Sequence, residues 1–378
     1  MSSLVWIELD GGAPECNLRE LRRGSAPGVL ACAVVKANAY GHGVRQIAPL
    51  LPSADWFAVN SLEEGLELRG LGITRPIVLL GYVALGDLAA AVEADLSLTV
   101  FNRETVETIA SLASLPRPAR LHVKVETGTG RQGVLPEDLE AFVRLVKSTG
   151  NSRLEGLSTH FANIEDTLNH AYAEEQLERF SSALRLVERV AERPPIVHAA
   201  CTAATLLFPK THFTMLRAGI GVYGLWPSRE TFLSAREQGA VPALTPVLSW
   251  KTRIVQIKSL PEGSFIGYGC SYRTTRRTTV GILPVGYSDG YDRALGNRGH
   301  VLVRGRRAPI VGRICMNLTM IDLTDVAGAG LEDEVVLLGT SGRESISAET
   351  MAEWAGTINY EIVSRISPLL PRTIVERR

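Results

Sequence analysis

Along the first part of the chain, short runs of small and β-branched residues alternate with longer stretches of helical spacing, and each run ends in a polar or glycine turn. The strand-like runs fall at residues 30–35, 56–59, 77–81, 96–101, 120–125, 154–159, 196–199 and 213–217. Between them, Val44, Ile47, Ala48 and Leu51 recur at i, i+3, i+4 and i+7, and Ser61-Leu62-Glu63-Glu64 reads as a capping box. Ala173, Leu177, Phe180, Leu184 and Val187 form a longer apolar stripe that stops before Pro194. Near-continuous apolar strands alternating with helices imply a parallel sheet, and eight such units in roughly 230 residues is the size of a TIM-type (β/α)8 barrel. The last connection is the thinnest, because only residues 203–208 are available there as a helix. A doubly wound open sheet is the alternative.

The pattern changes near Pro242 and Pro246. Runs at 250–260, 278–285, 300–303, 309–323 and 334–338 are strand-like and are joined by short Gly, Pro or Asp turns without helices between them. A single late helix is expected, with Met351, Trp354, Ala355 and Ile358 on one face and Ser347 as its cap. The expectation is therefore an α/β chain of two domains, a barrel over 1–238 and a mainly β domain over 239–378, which suits a length of 378 residues.

Charge and cysteine usage narrow the partners. Forty basic residues balance forty acidic ones, and no Lys/Arg block stands out, so neither nucleic acid nor a membrane surface is expected as the main partner. Cys16, Cys32, Cys201, Cys270 and Cys315 are odd in number and scattered, which suggests neither a disulfide framework nor a zinc site and fits a reducing cytoplasm. The opening Met1-Ser2-Ser3-Leu4-Val5-Trp6-Ile7-Glu8 lacks the basic and apolar regions of a signal peptide, and the longest apolar run, 76–86, is too short to span a bilayer. No His-Glu-x-x-His or similar pair occurs, so no catalytic metal is expected, and His122 and His212 read as structural or surface residues.

Candidate chemistry collects at the strand ends, where barrels of this type carry their sites. The first strand runs into Val35-Lys36-Ala37-Asn38-Ala39-Tyr40-Gly41-His42-Gly43. Desolvation there lowers a lysine's pKa, as an amine needs in order to attack an aldehyde or accept a proton. The bland reading is a lysine whose stem packs while its head reaches water. The fifth strand is followed by Glu126-Thr127-Gly128-Thr129-Gly130-Arg131-Gln132-Gly133, the sixth ends in Thr159-His160-Phe161, the seventh in His198-Ala199-Ala200-Cys201-Thr202 and the eighth in Arg217-Ala218-Gly219-Ile220. Gly219-Ile220-Gly221 and the Thr202 hydroxyl supply backbone N–H groups and a short donor where barrels hold phosphate. A Schiff-base amine plus a phosphate cradle suggests pyridoxal phosphate. Gly128, Gly130 and Gly133 also have dinucleotide-fingerprint spacing, but on the fifth strand, with the nearest acid, Glu155, at the start of the next strand instead of its end.

Segments 35–43, 124–133, 159–161, 217–224, 267–269, 284–290, 312–316 and 358–361, taken in order, resemble the bacterial alanine racemases. The resemblance implies pyridoxal 5'-phosphate as cofactor and a homodimer whose C-terminal domain contributes to the partner subunit's active site. It implies that Lys36 holds the cofactor and serves as base on one face of the substrate Cα, with Tyr268 on the opposite face. His160 and Arg217 would favour the Tyr268 anion, Arg217 would bond the pyridine nitrogen, and His198 would steady Arg217. Tyr40, Thr202, Gly219, Ile220 and Tyr360 would contact the phosphate, and Arg131 the phenolic oxygen. Tyr287 and Met316 would frame the substrate carboxylate together with Arg131, and Lys124 matches a lysine often carried as a carbamate. The chain departs from the family's pattern at Cys201 (commonly Asn), Thr202 (commonly Ser), Ala218 (frequently Pro) and Asn317 (frequently Asp). The expected activity is interconversion of L- and D-alanine, supplying D-alanine for the cell wall. The alternatives are a serine or broader-specificity racemase, a decarboxylase on the same barrel, and a non-catalytic pyridoxal-phosphate carrier; the last usually lacks a second domain.

Overall fold

Eight parallel strands pair in the order β8-β7-β6-β5-β4-β3-β2-β9 in a computed structural model that describes residues 3–239 and 241–376. They are β2 (Leu30–Val34), β3 (Trp56–Val59), β4 (Ile77–Leu79), β5 (Leu96–Val100), β6 (Ala119–Lys124), β7 (Ser152–Ser158), β8 (Ile196–His198) and β9 (Met215–Ala218); β1 (Val5–Asp10) stands apart. The seam between β8 and β9 carries no strand ladder but is bridged by Thr214 N–H to Val197 O (3.0 Å) and Arg217 N–H to Ala200 O (3.0 Å), so the barrel is nearly closed. All eight expected strands are present. The reason is visible in burial: β3, β4, β5, β8 and β9 have every residue buried, as parallel strands covered on both faces must. Helix Ala171–Val190 buries the whole predicted stripe, at about 1.5–3 kcal/mol for each large apolar side chain. The Ser61 capping box is formed, and helix Thr202–Leu207 makes the short last connection.

The chain divides into two compact units, and the division does not follow the sequence boundary at 238/239. The barrel unit comprises Ala13–Ala39 and Ile47–Thr245, whereas the opening residues up to Gly12 and Tyr40–Gln46 cluster with the chain from Pro246 onward. Strand β1 explains the first exception. It pairs antiparallel with β10 (Leu248–Arg253) and parallel with β20 (Arg372–Val375), so the two ends of the chain share one sheet.

In this β unit, the apolar run at 250–260 is two strands, β10 and β11 (Gln256–Leu260), which belong to different sheets. The unit continues with the hairpin β12 (Phe265–Ile266) and β13 (Tyr272–Arg273), then β14 (Thr278–Leu283), β15 (His300–Val303), β16 (Arg306–Pro309), β17 (Thr319–Asp322), β18 (Glu334–Ser341) and β19 (Glu344–Ile346). The run at 309–323 is likewise interrupted, because 310–318 form the loop that carries Met316. Ser347 caps helix Ala348–Ala355 as expected, but a second helix, Asn359–Ser364, follows it, and Ile358 is that helix's exposed N-cap residue instead of part of the first apolar face. Trp250 and Tyr291 are the largest buried aromatics here, packed edge to face at 5.5 Å.

Candidate active site

Lys36 lies two residues beyond the end of β2 and is half-buried. Burial and the neighbouring Arg131 charge lower its pKa from the ordinary lysine value. The backbone then makes a left-handed turn with no glycine in it: Ala37, Asn38, Ala39 and Tyr40 have φ of 53°, 52°, 53° and 52°. Each such residue costs about 1–2 kcal/mol, so the turn persists only because its surroundings hold it. Glu64 does so within the barrel unit, accepting from Ala37 N–H (2.6 Å) and Asn60 N–H (2.6 Å). Tyr223, fully buried, donates its hydroxyl to Val34 O at 2.9 Å and fixes the strand just ahead of the lysine. Neither Glu64 nor Tyr223 was signalled in the sequence as a site residue. The capping box accounted for Glu64 completely.

Arg217, on β9, is 7% exposed and tied on every side. Its Nη1 donates to His198 Nδ1 (2.7 Å) and His198 O (2.9 Å), and its Nη2 to Thr159 O (3.0 Å), Ala199 O (3.0 Å) and, more weakly, His160 Nδ1 (3.5 Å). His198 thus meets Arg217 with both its ring and its carbonyl. His160, by contrast, cannot bring positive charge: burial, then Arg217 and Arg131, push its pKa down to about 3. It is a neutral ring whose Nδ1 faces a donor, so its proton sits on Nε2. Lys124, at the end of β6, is lowered to about 8 by burial and the Arg131 charge, and its Nζ lies 3.4 Å from Gln132 Oε1. Arg131 itself, with Thr129, His160, Phe161, Glu165 and Asp166, lines a polar cavity of about 310 Å3.

The glycine-rich turn after β6 is not a dinucleotide cradle. Its N–H groups at Gly128 (2.6 Å), Thr129 (2.6 Å) and Arg131 (3.1 Å) all donate to the chain's own Glu126 carboxylate. Against the effect of burial, these donors hold that carboxylate below its usual range. The turn after β9 differs. Thr202 Oγ1 accepts from Gly219 N–H (3.0 Å) and Gly221 N–H (3.4 Å), leaving Ile220 N–H at the head of turn Ile220–Tyr223 as the donor Thr202 does not take. A Cβ on Gly221 would lie 2.7 Å from the Thr202 methyl, so threonine in place of serine fills the space that this glycine provides. Beside it, burial pushes the Cys201 thiol up to about 12, which keeps it protonated and inert.

The remaining candidates belong to the β unit and are described within it. Tyr268 is 72% exposed at the tip of the β12–β13 hairpin, between Gly267 (φ 74°) and Gly269 (φ 71°). Tyr287 and Met316 are 44% and 56% exposed, and their loops are laced together by Tyr287 N–H to Cys315 O (3.1 Å) and Ser288 N–H to Met316 O (3.0 Å). Asn317 donates to Ser288 Oγ (2.8 Å), which in turn donates to Met316 O (2.8 Å). Tyr40 and Tyr360 have ring centroids 6.1 Å apart, and Arg372 clamps the turn at Gly41 O from Nη2 (2.8 Å). His212 is a buried structural residue bonded to Thr205 O (2.9 Å); His122 is also fully buried, and the surface reading of it does not hold. Among the described residues no helix is long and apolar enough to cross a membrane, and no group of three or more His, Cys, Asp or Glu is placed to hold a metal ion.

Two family models cover nearly the whole chain, "Alanine racemase, N-terminal domain" over residues 9–227 and "Alanine racemase, C-terminal domain" over 247–374. The chain is 41% identical to the alanine racemase of Leptospira interrogans, covering 98% of this chain and 96% of that one. It is 42% identical to the alanine racemase of Halothermothrix orenii, covering 97% and 96%. Among solved structures, alanine racemase from Bacillus anthracis with bound L-Ala-P is similar at a TM-score of 0.93 and 35% identity, covering 100% of this chain and 96% of that one. With the barrel, the β unit and the matching strand-end residues in place, the chain belongs to the alanine racemase family.

Proposed function

We propose that the protein interconverts L-alanine and D-alanine with pyridoxal 5'-phosphate, as a cytoplasmic homodimer that supplies D-alanine for cell-wall precursors. The observation that carries this reading is the half-buried Lys36 amine, its pKa lowered, at the barrel's strand ends in a chain of this family. The residues present in the barrel unit fit the cofactor chemically: a depressed amine for its aldehyde, a permanently charged Arg217 for its ring nitrogen, and the Thr202–Ile220 turn for its phosphate, to which the family resemblance adds Tyr40 and Tyr360. When bound, pyridoxal phosphate supplies an aldehyde for covalent attachment and an electron-withdrawing ring that acidifies the substrate Cα–H.

Lys36 would take or return the proton at one face of Cα, and the partner subunit's Tyr268 would do so at the other. Racemisation requires two such groups, because a single base returns the proton to the face it came from. A tyrosine titrates at about 10 and needs nearby positive charge to serve as base. With His160 neutral, that charge falls to Arg217 and not to the histidine. Arg217 does not surrender its own proton, so it would leave the ring nitrogen unprotonated and limit side reactions such as transamination. His198 would keep Arg217 in place. Arg131 would meet the phenolic oxygen and, with Tyr287 and Met316, the substrate carboxylate. Gly219 and Ile220 would offer the phosphate turn. An amine lowered to about 8 is partly neutral at physiological pH, the form that reacts with carbon dioxide, which supports carbamylation of Lys124 and a carbamate that orients Arg131.

Racemisation of a panel of L- and D-amino acids, with and without added cofactor, tests this reading. Alanine should be turned over fastest and only with cofactor present. Serine turned over as fast would move the assignment to the broader-specificity reading, and cofactor binding without turnover of any amino acid would make the protein a carrier.

A further inference from the structure

The barrel interior holds a line of polar groups of which the proposed chemistry uses only the first two, Arg217 and His198. From Arg217 on β9 it runs through His198 on β8 and His122 on β6 to Glu155 on β7, with Ser97 on β5 at its far end. The contacts are Arg217 Nη1 to His198 Nδ1 (2.7 Å), His198 Nε2 to His122 Nδ1 (2.9 Å), His122 Nε2 to Glu155 Oε2 (3.2 Å) and Ser97 Oγ to Glu155 Oε2 (2.5 Å). His122 and His198 are fully buried, and Glu155 is 7% exposed.

The proton positions along this line follow from one end. A guanidinium only donates, so His198 Nδ1 must be bare and the single proton of its neutral ring must sit on Nε2. That proton points at His122 Nδ1, which must therefore accept, placing the His122 proton on Nε2, where it meets the Glu155 carboxylate. Each bond from Arg217 to Glu155 thus donates away from Arg217 and ends on an anion, onto which the Ser97 hydroxyl donates from the far side. The other Glu155 oxygen is held by Arg153 Nη2 (3.0 Å), with Arg120 Nε at 3.8 Å. Although burial opposes ionisation, the hydrogen bonds from His122 and Ser97 hold the carboxylate down to about 2, and burial with the Arg217 charge keeps His198 well below its ordinary value.

The backbone makes room for this line. The β6–β7 register shifts between Leu121 and His122, which brings His122 opposite Gly156, and a Cβ on Gly156 would lie 2.4 Å from His122 Nδ1.

We infer that Glu155 is a positioning residue for Arg217, acting through the tautomers of His122 and His198. This rests on the reading of Arg217 as the cofactor's ring partner. Glu155→Gln gives the inference a sharp consequence. Arg153 only donates, so it retains the glutamine carbonyl on its side, and the amide N–H2 falls against His122 Nε2 and against the Ser97 hydroxyl, which turns to accept. The His122 proton must then move to Nδ1 and the His198 proton to Nδ1, where it opposes Arg217.

Neutron diffraction of the cofactor-loaded protein reads these positions directly. Deuterium on Nε2 of both histidines in the wild type, moving to Nδ1 in Glu155→Gln, is the expected result, with release of pyridoxal phosphate about tenfold faster, the scale of one lost hydrogen bond to a charged group. Gly156→Ala leaves the carboxylate in place and displaces the His122 ring, so it should speed release by a similar factor; should Glu155→Gln fail to fold, this variant decides. Deuterium on His198 Nδ1 in the wild type would overturn the inference. So would unchanged tautomers in Glu155→Gln, or unchanged release in Gly156→Ala. A wild type that binds no pyridoxal phosphate but shows the expected tautomers would remove the functional reading and leave the proton arrangement standing.

Discussion

Arg217 and Tyr268 are held in opposite ways. Arg217 is buried inside a barrel, and its two terminal nitrogens bond to three backbone carbonyls and two histidine rings, so its position is over-determined by side-chain and main-chain acceptors alike. Tyr268 stands on a two-residue-per-strand hairpin, 72% exposed, and what aims it is backbone conformation at Gly267 and Gly269. The first group is prepared before any ligand arrives. The second is presented on a surface, which suits a group offered to another subunit. The difference teaches that one chain can prepare one functional group by burial and another by turn geometry.

The hardest break of this contrast is Lys36→Ala, which removes the amine proposed to hold the cofactor. Activity should fall by more than about a thousandfold, and the visible absorbance of lysine-bound cofactor should vanish, because both covalent attachment and one proton carrier are lost. Retention of the visible band in this variant would show that another amine holds the cofactor. Next in size, Tyr268→Phe should slow removal of the α-proton from one enantiomer by roughly a hundredfold or more while largely sparing the other, with the absorbance unchanged. Deuterium exchange into each enantiomer measures it. Equal losses for both would mean that the exposed half is not an independent base.

The sequence made the barrel legible and left the relay dark, for physical reasons. Near-continuous apolar runs bounded by turns are a local signal, and so were the eight strands and the capping box at Ser61. Lys36, Arg217, His198 and His160 could be read because all sit at strand ends, where this architecture carries its chemistry. The left-handed turn at 37–40 is invisible in Ala-Asn-Ala-Tyr, since no glycine announces it. Glu155 and His122 look like ordinary strand residues until β6 and β7 are side by side, because their partnership depends on a register shift. Pairing of β1 with β20, which joins the chain's two ends, was unreadable for the same reason: it is non-local.

A smaller test sharpens the buried half. His160 has a folded-state pKa of about 3 against an ordinary histidine value of 6.5, so the unfolded chain takes up a proton first as pH falls. Its contribution is therefore fully present above about pH 6.5 and is lost as pH drops from there toward 3. Over that window each such group costs about 1.4 kcal/mol per pH unit. Glu155, with its carboxylate held down, adds to the loss only near the acid end, below the ordinary carboxylate range. His160→Asn should flatten the slope of unfolding free energy against pH by about one proton between pH 6 and 4. Denaturant unfolding at several pH values would show it, and an unchanged slope would mean that the ring is already charged in the folded protein, returning to His160 the role that Arg217 now holds alone.

The smallest effect belongs to the exposed half. Asn317 donates its amide to Ser288 Oγ, leaving the serine hydroxyl to donate to Met316 O, so a chain of donors runs toward the loop that would frame the substrate carboxylate. Asn317→Asp removes the donor and offers an acceptor, which invites the serine hydroxyl to turn toward the carboxylate and release Met316 O. Because all three groups are exposed, water can replace the lost bond, and the net cost should stay below about 1 kcal/mol. The expected readout is a KM for alanine raised no more than about fivefold with kcat unchanged. A kcat loss as large as that of Tyr268→Phe would break the contrast from its weaker side, since it would mean that the surface half of the site depends on a side-chain network as strictly as Arg217 does.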